Sequence, residues 1–590
     1  MQRHDPHSFS NPDQGRIKHI TFDLEVSFDT RTLRGTARYL LRKPEPGSLF
    51  FDTKGLRIEQ ITADGQPLEW SIDMEDRIRG ERLHIKNPNA REVLVITFET
   101  SPTASALGWL DPQQTAGGKH PFLLSQCQAI HARSMFPCQD SPSIRFTYAA
   151  RVKVPAPLTA AMSAKRTEIQ RDGSSNICCF EMPQAIPSYL LALAVGNLDY
   201  ARIGRRCGVH AEPEVIRKAE REFADTEQLI EEAEKLFGPY KWDKFDMLIL
   251  PPSFPYGGME NPRLAFLTPT LIVGDRSMVN VVAHELAHSW TGNLVTNATW
   301  EDFWLNEGWT VYAERRILAA IESESYAQLH AAVRRKSMLE DMRTFGMDAD
   351  ATKLHFSQDG IDPDDVFSTI PYEKGCSFLS LVEHAVGRER FDAFTRRYID
   401  KFQFQSITTQ QFLAFMREEL PGIDDKVNVR KWVFEAGFPS DALEPSSPLL
   451  DDVSHKNRMI EQGMLPNIYD VQDWKAAQVE VFLKNLPREM DLSHCHYVGR
   501  LFNIEDSRNR NHQTEFYVVA IRSGSTRILE QVEKLLSSVG RMLYLRPLYR
   551  ALAETEWSRP HARSIFEKCR HAYHPIAVTV IERLLTSLGV

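Results

Sequence analysis

The stretch Met278-Val279-Asn280-Val281-Val282-Ala283-His284-Glu285-Leu286-Ala287-His288 decides how this chain folds and what chemistry it carries. Met278, Val281, Val282 and Leu286 give it one apolar helical face. Residues four apart share a helix face, so His284 and His288 aim two imidazoles at one point, and Glu285 looks into the same groove. Asn306-Glu307-Gly308 follows nineteen residues on (307 − 288 = 19) and offers a carboxylate as a third ligand. Two His, one Glu and an open fourth position form the zinc arrangement of a hydrolase rather than of a structural finger. Zinc brings the pKa of bound water toward ~7, and Glu285 is free to take that proton and pass it on. The competing reading is a surface helix with two unrelated histidines. Glu314, two turns after Glu307, either orients a ligand histidine through its second ring nitrogen or is a solvated charge beside Arg315 and Arg316.

Working outward, the first third reads as β. Ile20, Phe22, Leu24, Val26 and Phe28 alternate with polar residues, Leu33, Ala37 and Tyr39 continue the pattern, and 93–98 and 146–154 repeat it. This predicts an antiparallel β domain over 1–198. Residues 199–438 are mixed, with one long helix expected over 214–237 and a short apolar strand over 245–250. Pro and Ser mark 439–449 as a linker. Residues 450–590 read as successive helices, with Ile528, Leu529, Val532, Leu535, Leu536 and Val539 on one face, resembling an armadillo/HEAT-like helical layer. The fold class expected is multidomain α+β.

Composition narrows the function. The 590 residues carry a net charge of −9, with Lys and Arg scattered, so no nucleic-acid groove is expected. No apolar run is long enough to span a membrane, and the first residues lack an apolar signal core, so a cytoplasmic protein is expected. Eight cysteines include no C-x-x-C pair, which gives neither a thiolate metal site nor a disulfide framework.

Tyr256-Gly257-Gly258-Met259-Glu260-Asn261 precedes the histidine helix. Read alone it is a Gly-Gly turn with an exposed Glu. It resembles the G-x-M-E-N motif of the M1 family of zinc aminopeptidases (gluzincins), and Pro371-Tyr372-Glu373-Lys374-Gly375 resembles that family's tyrosine segment. The resemblance implies a thermolysin-like catalytic domain with one Zn2+ on His284, His288 and Glu307. It implies Glu285 as base, Glu260 on the substrate's amine, and Tyr372 as oxyanion donor rather than a packed aromatic.

Ser125-Gln126-Cys127-Gln128-Ala129-Ile130-His131, together with 255–270 and 290–297, is similar to the leukotriene A(4) hydrolase/aminopeptidase subfamily. That likeness places Gln128, Ala129, Tyr256, Gly257, Gly258, Met259 and Glu260 along the substrate. It makes Arg541, otherwise a helix-end cation, a carboxylate anchor, and Asp364 the residue that steers water in epoxide hydrolysis. Leu543 stands where a Lys is usual, Phe367 where a Tyr is, and Trp309 where close relatives have His. The expected substrates are short peptides with a free N-terminus, cut by a monomer without nucleic acid or membrane. Hydrolysis of a lipid epoxide and a non-catalytic scaffold are the rival readings.

Overall fold

The computed structural model describes residues 5–590. Its N-terminal part is built on an eight-stranded sheet in the order Lys165–Asp172, Ser175–Pro187, Arg145–Pro155, Arg16–Ser27, Thr32–Arg42, Val93–Glu99, Arg57–Ala63 and Gln66–Pro67. Neighbours run antiparallel except Arg16–Ser27 beside Arg145–Pro155, which are parallel. The alternation seen in the sequence is the burial pattern: Ile20, Phe22, Leu24 and Val26 face the core. Phe28 falls just beyond the strand and packs on Trp109 instead. A three-stranded sheet of Gly47–Thr53, Glu81–Asn87 and Trp70–Ile72 adds to this part, and a four-stranded sheet carries Phe122–Ser125, the strand leading into Gln128.

The sheet changes after Gly196. Asp199–Arg202 opens a five-stranded sheet that continues through Cys207–Ala211, Phe245–Ile249, Leu264–Leu267 and Gly258–Met259. Helices Val279–Ala287, Trp304–Ile321 and Ile370–Val386 follow, and the last two cross at Gly308 and Gly375. A Cβ on Gly375 would stand 2.8 Å from the Gly308 Cα, so only glycine lets these backbones meet.

The single helix expected over 214–237 is two, Pro213–Glu222 and Thr226–Phe237. The break has a cause outside the segment. Glu222 accepts backbone N–H groups from Gly274 and Arg276, and Asp225 pairs with the Arg276 guanidinium. The expected linker is also shorter than composition suggests. Ser447 caps the helix Pro448–Glu461 by accepting from the Leu450 N–H, and Pro448 takes its first position.

The C-terminal part is helical and has its own core, to which Tyr326 and Leu329 of helix Glu324–Phe345 contribute. Val532, Leu535 and Leu536 are buried as the apolar face predicts. Two main-chain hydrogen bonds fasten this part over the catalytic part: Gly540 N–H to Pro252 O at 2.6 Å and Met542 N–H to Pro255 O at 2.9 Å. A side chain at 540 would meet Ser253 O at 2.6 Å, so this contact too requires glycine. It sets Arg541 opposite Tyr256 and Gly257.

Candidate active site

The helix Val279–Ala287 is almost wholly buried and packs on Trp304–Ile321, which delivers Glu307. His284 Nε2 and His288 Nε2 lie 3.2 Å apart. Glu307 Oε2 is 3.4 Å from the first and 3.6 Å from the second. Ligand atoms 2.0–2.1 Å from a tetrahedral centre are separated by about 3.3 Å, so this triangle fits one zinc ion. Glu307 Oε2 is moreover buried without a hydrogen-bond partner, as a ligand atom would be in a protein-only structure.

Each histidine is held by its other nitrogen. His284 Nδ1 stands 3.0 Å from Glu314 Oε2. His288 Nδ1 lies 3.1 Å from both Thr291 O and Thr310 Oγ1. Of the two readings of Glu314, the geometry favours the first, because its carboxylate is buried against His284 rather than solvated. Nothing in the sequence singled out Thr291 and Thr310, whose roles depend on how two helices pack.

Glu260, Glu285 and Glu307 crowd one pocket. Burial, and then the charges of Glu307 and Glu285, hold Glu260 well above the usual carboxylate range. Burial pushes Glu285 up to about 8, with His284 opposing and Glu307 and Glu314 adding repulsion. Burial, and then the His284 charge, hold His288 well below its ordinary value, which suits a neutral ligand. A cluster of this kind favours cations, and a bound dication returns the carboxylates to their charged form.

Gln128 Nε2 donates to Glu260 Oε1 at 3.4 Å, and Asn293 donates to the Glu260 carbonyl at 2.6 Å. The Gln128–Ala129 peptide is cis. Tyr372 stacks on His284 with ring centroids 6.1 Å apart, and burial and the Glu307 charge keep its hydroxyl protonated. Arg541 is buried, donates to Tyr544 Oη at 3.1 Å, and lies so near Gly257 that a Cβ there would stand 2.5 Å from its guanidinium.

These groups line one cleft of about 730 Å³. Tyr256, Gly257 and Gly258 form its floor, whereas the Met259 side chain turns into the core, where its sulfur accepts from Gln126. Only the backbone at 259 is left to face a substrate. A narrower apolar pocket branches off beside Gln128 and Ala129, walled by Tyr256, Phe303, Phe356 and Phe367. Asp364 lies at its edge and accepts from His131 Nε2 at 2.8 Å. Trp309 stands apart from the cleft, fully buried and stacked on Tyr398.

The chain matches three family models in order: the peptidase M1 N-terminal domain over 16–190, the peptidase family M1 domain over 221–433, and the leukotriene A4 hydrolase C-terminal domain over 474–585. It belongs to the M1 peptidase family. Within that family it is 38% identical to a protein named leucine aminopeptidase 2 from Aspergillus terreus, covering 98% of this chain and 97% of that one. It is equally 38% identical to a leukotriene A-4 hydrolase from Xenopus laevis, covering 98% of each. The yeast LTA4 hydrolase solved with bestatin superposes with a TM-score of 0.93 at 34% identity, over 99% of this chain and 97% of that one. The architecture of N-terminal β domain, central catalytic domain and C-terminal helical domain is that of these relatives.

Proposed function

We propose that this protein is a zinc aminopeptidase that removes the first residue from short peptides. The observation that carries the reading is the pairing of the His284–His288–Glu307 triangle with a buried amine anchor, Glu260 and Gln128, in one cleft. One Zn2+ per chain on the triangle would supply Lewis acidity and an acidified water. Glu260 accepts hydrogen bonds from the substrate's ammonium, and Gln128 orients that carboxylate. Glu285 takes the proton from the attacking water and later gives it to the departing amine, two duties suited to a carboxylate whose buried setting favours protonation. Tyr372 donates its hydroxyl to the developing oxyanion. Glu314 fixes the ring of His284. Arg541 draws a substrate carboxylate toward the far end of the cleft.

The pocket walled by Tyr256, Phe303, Phe356 and Phe367 favours an apolar first side chain. The free cysteines, mostly buried, fit a reducing cytoplasm. No helix among the described residues is long and apolar enough to cross a membrane. All the groups named come from one chain, so the site in this reading needs no second subunit. A second reading, hydrolysis of a lipid epoxide, draws support from the same apolar pocket with Asp364 at its edge. Diol formation from a fatty epoxide tests it directly.

The deciding experiment compares a free tripeptide with its N-acetylated form, with and without a zinc chelator, by mass spectrometry. Release of the first residue from the free peptide alone, abolished by chelation, is the expected result. Equal cutting of both would remove the role given to Glu260.

A further inference from the structure

The cleft is electrically bipolar. Glu260, Glu285, Glu307 and Glu314 gather around the proposed metal site, whereas Arg541, the N-cap residue of the helix Met542–Glu554, and Arg546 and Arg550 on that helix line the cleft from the C-terminal part. Some cations along this cleft are already committed. Lys484 pairs with Glu340 and Glu515, and Arg488 and Arg522 both hold Glu554 at 3.3 Å. Arg546 and Arg550 on the helix Met542–Glu554, like Arg334 and Arg343 on the helix Glu324–Phe345, are not committed in this way. Arg546 and Arg550 are half-buried, both face the cleft, and neither pairs with a carboxylate among the described residues. Arg541 also lacks an acidic partner and donates only to Tyr544. Three guanidiniums without an ion-pair partner, Arg546 and Arg550 on one helix and Arg541 at its N-cap, in a protein of net charge −9 mark a place where the missing charge arrives with the ligand.

Their spacing matches a peptide. Arg546 and Arg550 are one helical turn apart, about 6 Å along the axis. Alternate residues of an extended chain stand about 7 Å apart and point to the same side. Leu543, exposed in the same cleft, adds no charge among them.

Resting on the aminopeptidase reading above, we infer that the preferred substrates are acidic peptides longer than three residues. Carboxylates at alternate positions beyond the cut bond would sit on Arg541, Arg546 and Arg550. Arg546 and Arg550 are then specificity residues for substrate length and charge.

The test uses the zinc-loaded, full-length protein and N-acetylated, C-terminally amidated heptapeptides that an amine-anchored enzyme does not cut. One is acetyl-Leu-Ala-Glu-Gly-Glu-Gly-Glu-amide, and its twin carries Gln at each Glu position. Titration calorimetry reads both. The acidic peptide should bind about tenfold more tightly, as two or three partly exposed ion pairs imply. The difference should shrink between 20 and 300 mM salt, as about a three- to fourfold shorter Debye length requires. Arg546→Gln/Arg550→Gln should bring the twins within about threefold of each other, leaving the Arg541 contribution. Arg546→Lys/Arg550→Lys should retain most of the preference, since the charge remains. Equal affinities in the wild type, or a preference that survives the double Gln variant, would overturn the inference. Turnover of a free tripeptide in the same preparation tests the aminopeptidase reading separately. If it fails while the twins still differ, the cationic wall stands and the reaction assigned to the cleft does not.

Discussion

Gly375→Ala is the most informative single change in the catalytic part, because local preference and packing predict opposite outcomes. Both Gly308 and Gly375 lie inside helices, where Ala is preferred to Gly by about 1 kcal/mol. Propensity alone therefore makes the variant more stable. The new Cβ, however, would stand 2.8 Å from the Gly308 Cα, a backbone atom that cannot swing aside. Carbon contacts settle near 3.5–4.0 Å, so the helices must part by roughly 1 Å. Overpacking of this kind costs about 1–3 kcal/mol, which leaves a net loss of about 0–2 kcal/mol after the propensity gain.

The functional consequence is larger than the stability one. Gly308 follows Glu307, and Gly375 lies three residues after Tyr372, so the wedge opens between the proposed oxyanion donor and the proposed ligand. A 1 Å misplacement near the chemistry can cost about a hundredfold. We expect kcat on a free tripeptide to fall about 10–100-fold, within that range. Bound zinc should stay near one per chain, because His284 and His288 stand on another helix. The assay is steady-state kinetics beside metal analysis and a thermal melt. Gly308→Ala presses on the same contact, so the double variant should cost less than the sum of the singles. A Gly375→Ala protein that melts higher and turns over at the wild-type rate would refute the packing argument.

Three further expectations follow from the site. Glu285→Gln should retain zinc by metal analysis yet lose turnover by several orders of magnitude, since one group serves as base and acid; near-normal kcat would discard that assignment. Glu314→Gln keeps the shape of the His284 partner but removes its charge, and zinc affinity by chelator competition should weaken about 10–100-fold, with an unchanged affinity counting against the buried contact. His131 titrates in the opposite sense from a salt-bridged carboxylate. Burial opposes its charge, but the charge and hydrogen bond of Asp364 outweigh burial and raise its pKa. That stabilisation is fully present below the unfolded value of about 6.5 and is lost as pH rises through the raised folded value. Melting curves of wild type and Asp364→Asn should therefore differ most at mildly acidic pH and converge in alkali; a gap that widens with pH would reverse the assignment.

What the sequence revealed depended on how locally each feature is encoded. His284 and His288 could be paired from spacing alone, because four residues on a helix fix direction. The β alternation from Ile20 to Val26 was legible for the same reason, as period two fixes the face. Features made by distant packing were not. Glu314 stayed open between two readings because its partner lies thirty residues away on another helix (314 − 284 = 30). The break after Glu222 was hidden because Gly274 and Arg276 draw off its carboxylate. Met259 looked like part of the substrate strand, but only tertiary structure shows its side chain turning to Gln126. The start of the last domain's first helix was readable from Ser447-Pro448, yet the Pro- and Ser-rich composition around it outweighed that signal.

Arg541 is the extreme case. Apart from the family resemblance its sequence surroundings offer a helix-end cation, and its place in the cleft is set by Gly540 reaching Pro252 across 288 residues (540 − 252 = 288). With the Met542 N–H on Pro255 O, that contact positions both ends of the proposed chemistry. It lays the first turn of the helix Met542–Glu554 against the Tyr256–Gly258 segment, and so sets the distance between the carboxylate cluster and the three arginines. A peptide bound at both ends would span that distance with its amine on the acids and its carboxylates on the cations. Each end would repel the opposite orientation. On this proposal the cleft would select chain direction as the peptide binds, with charges contributed by separate domains.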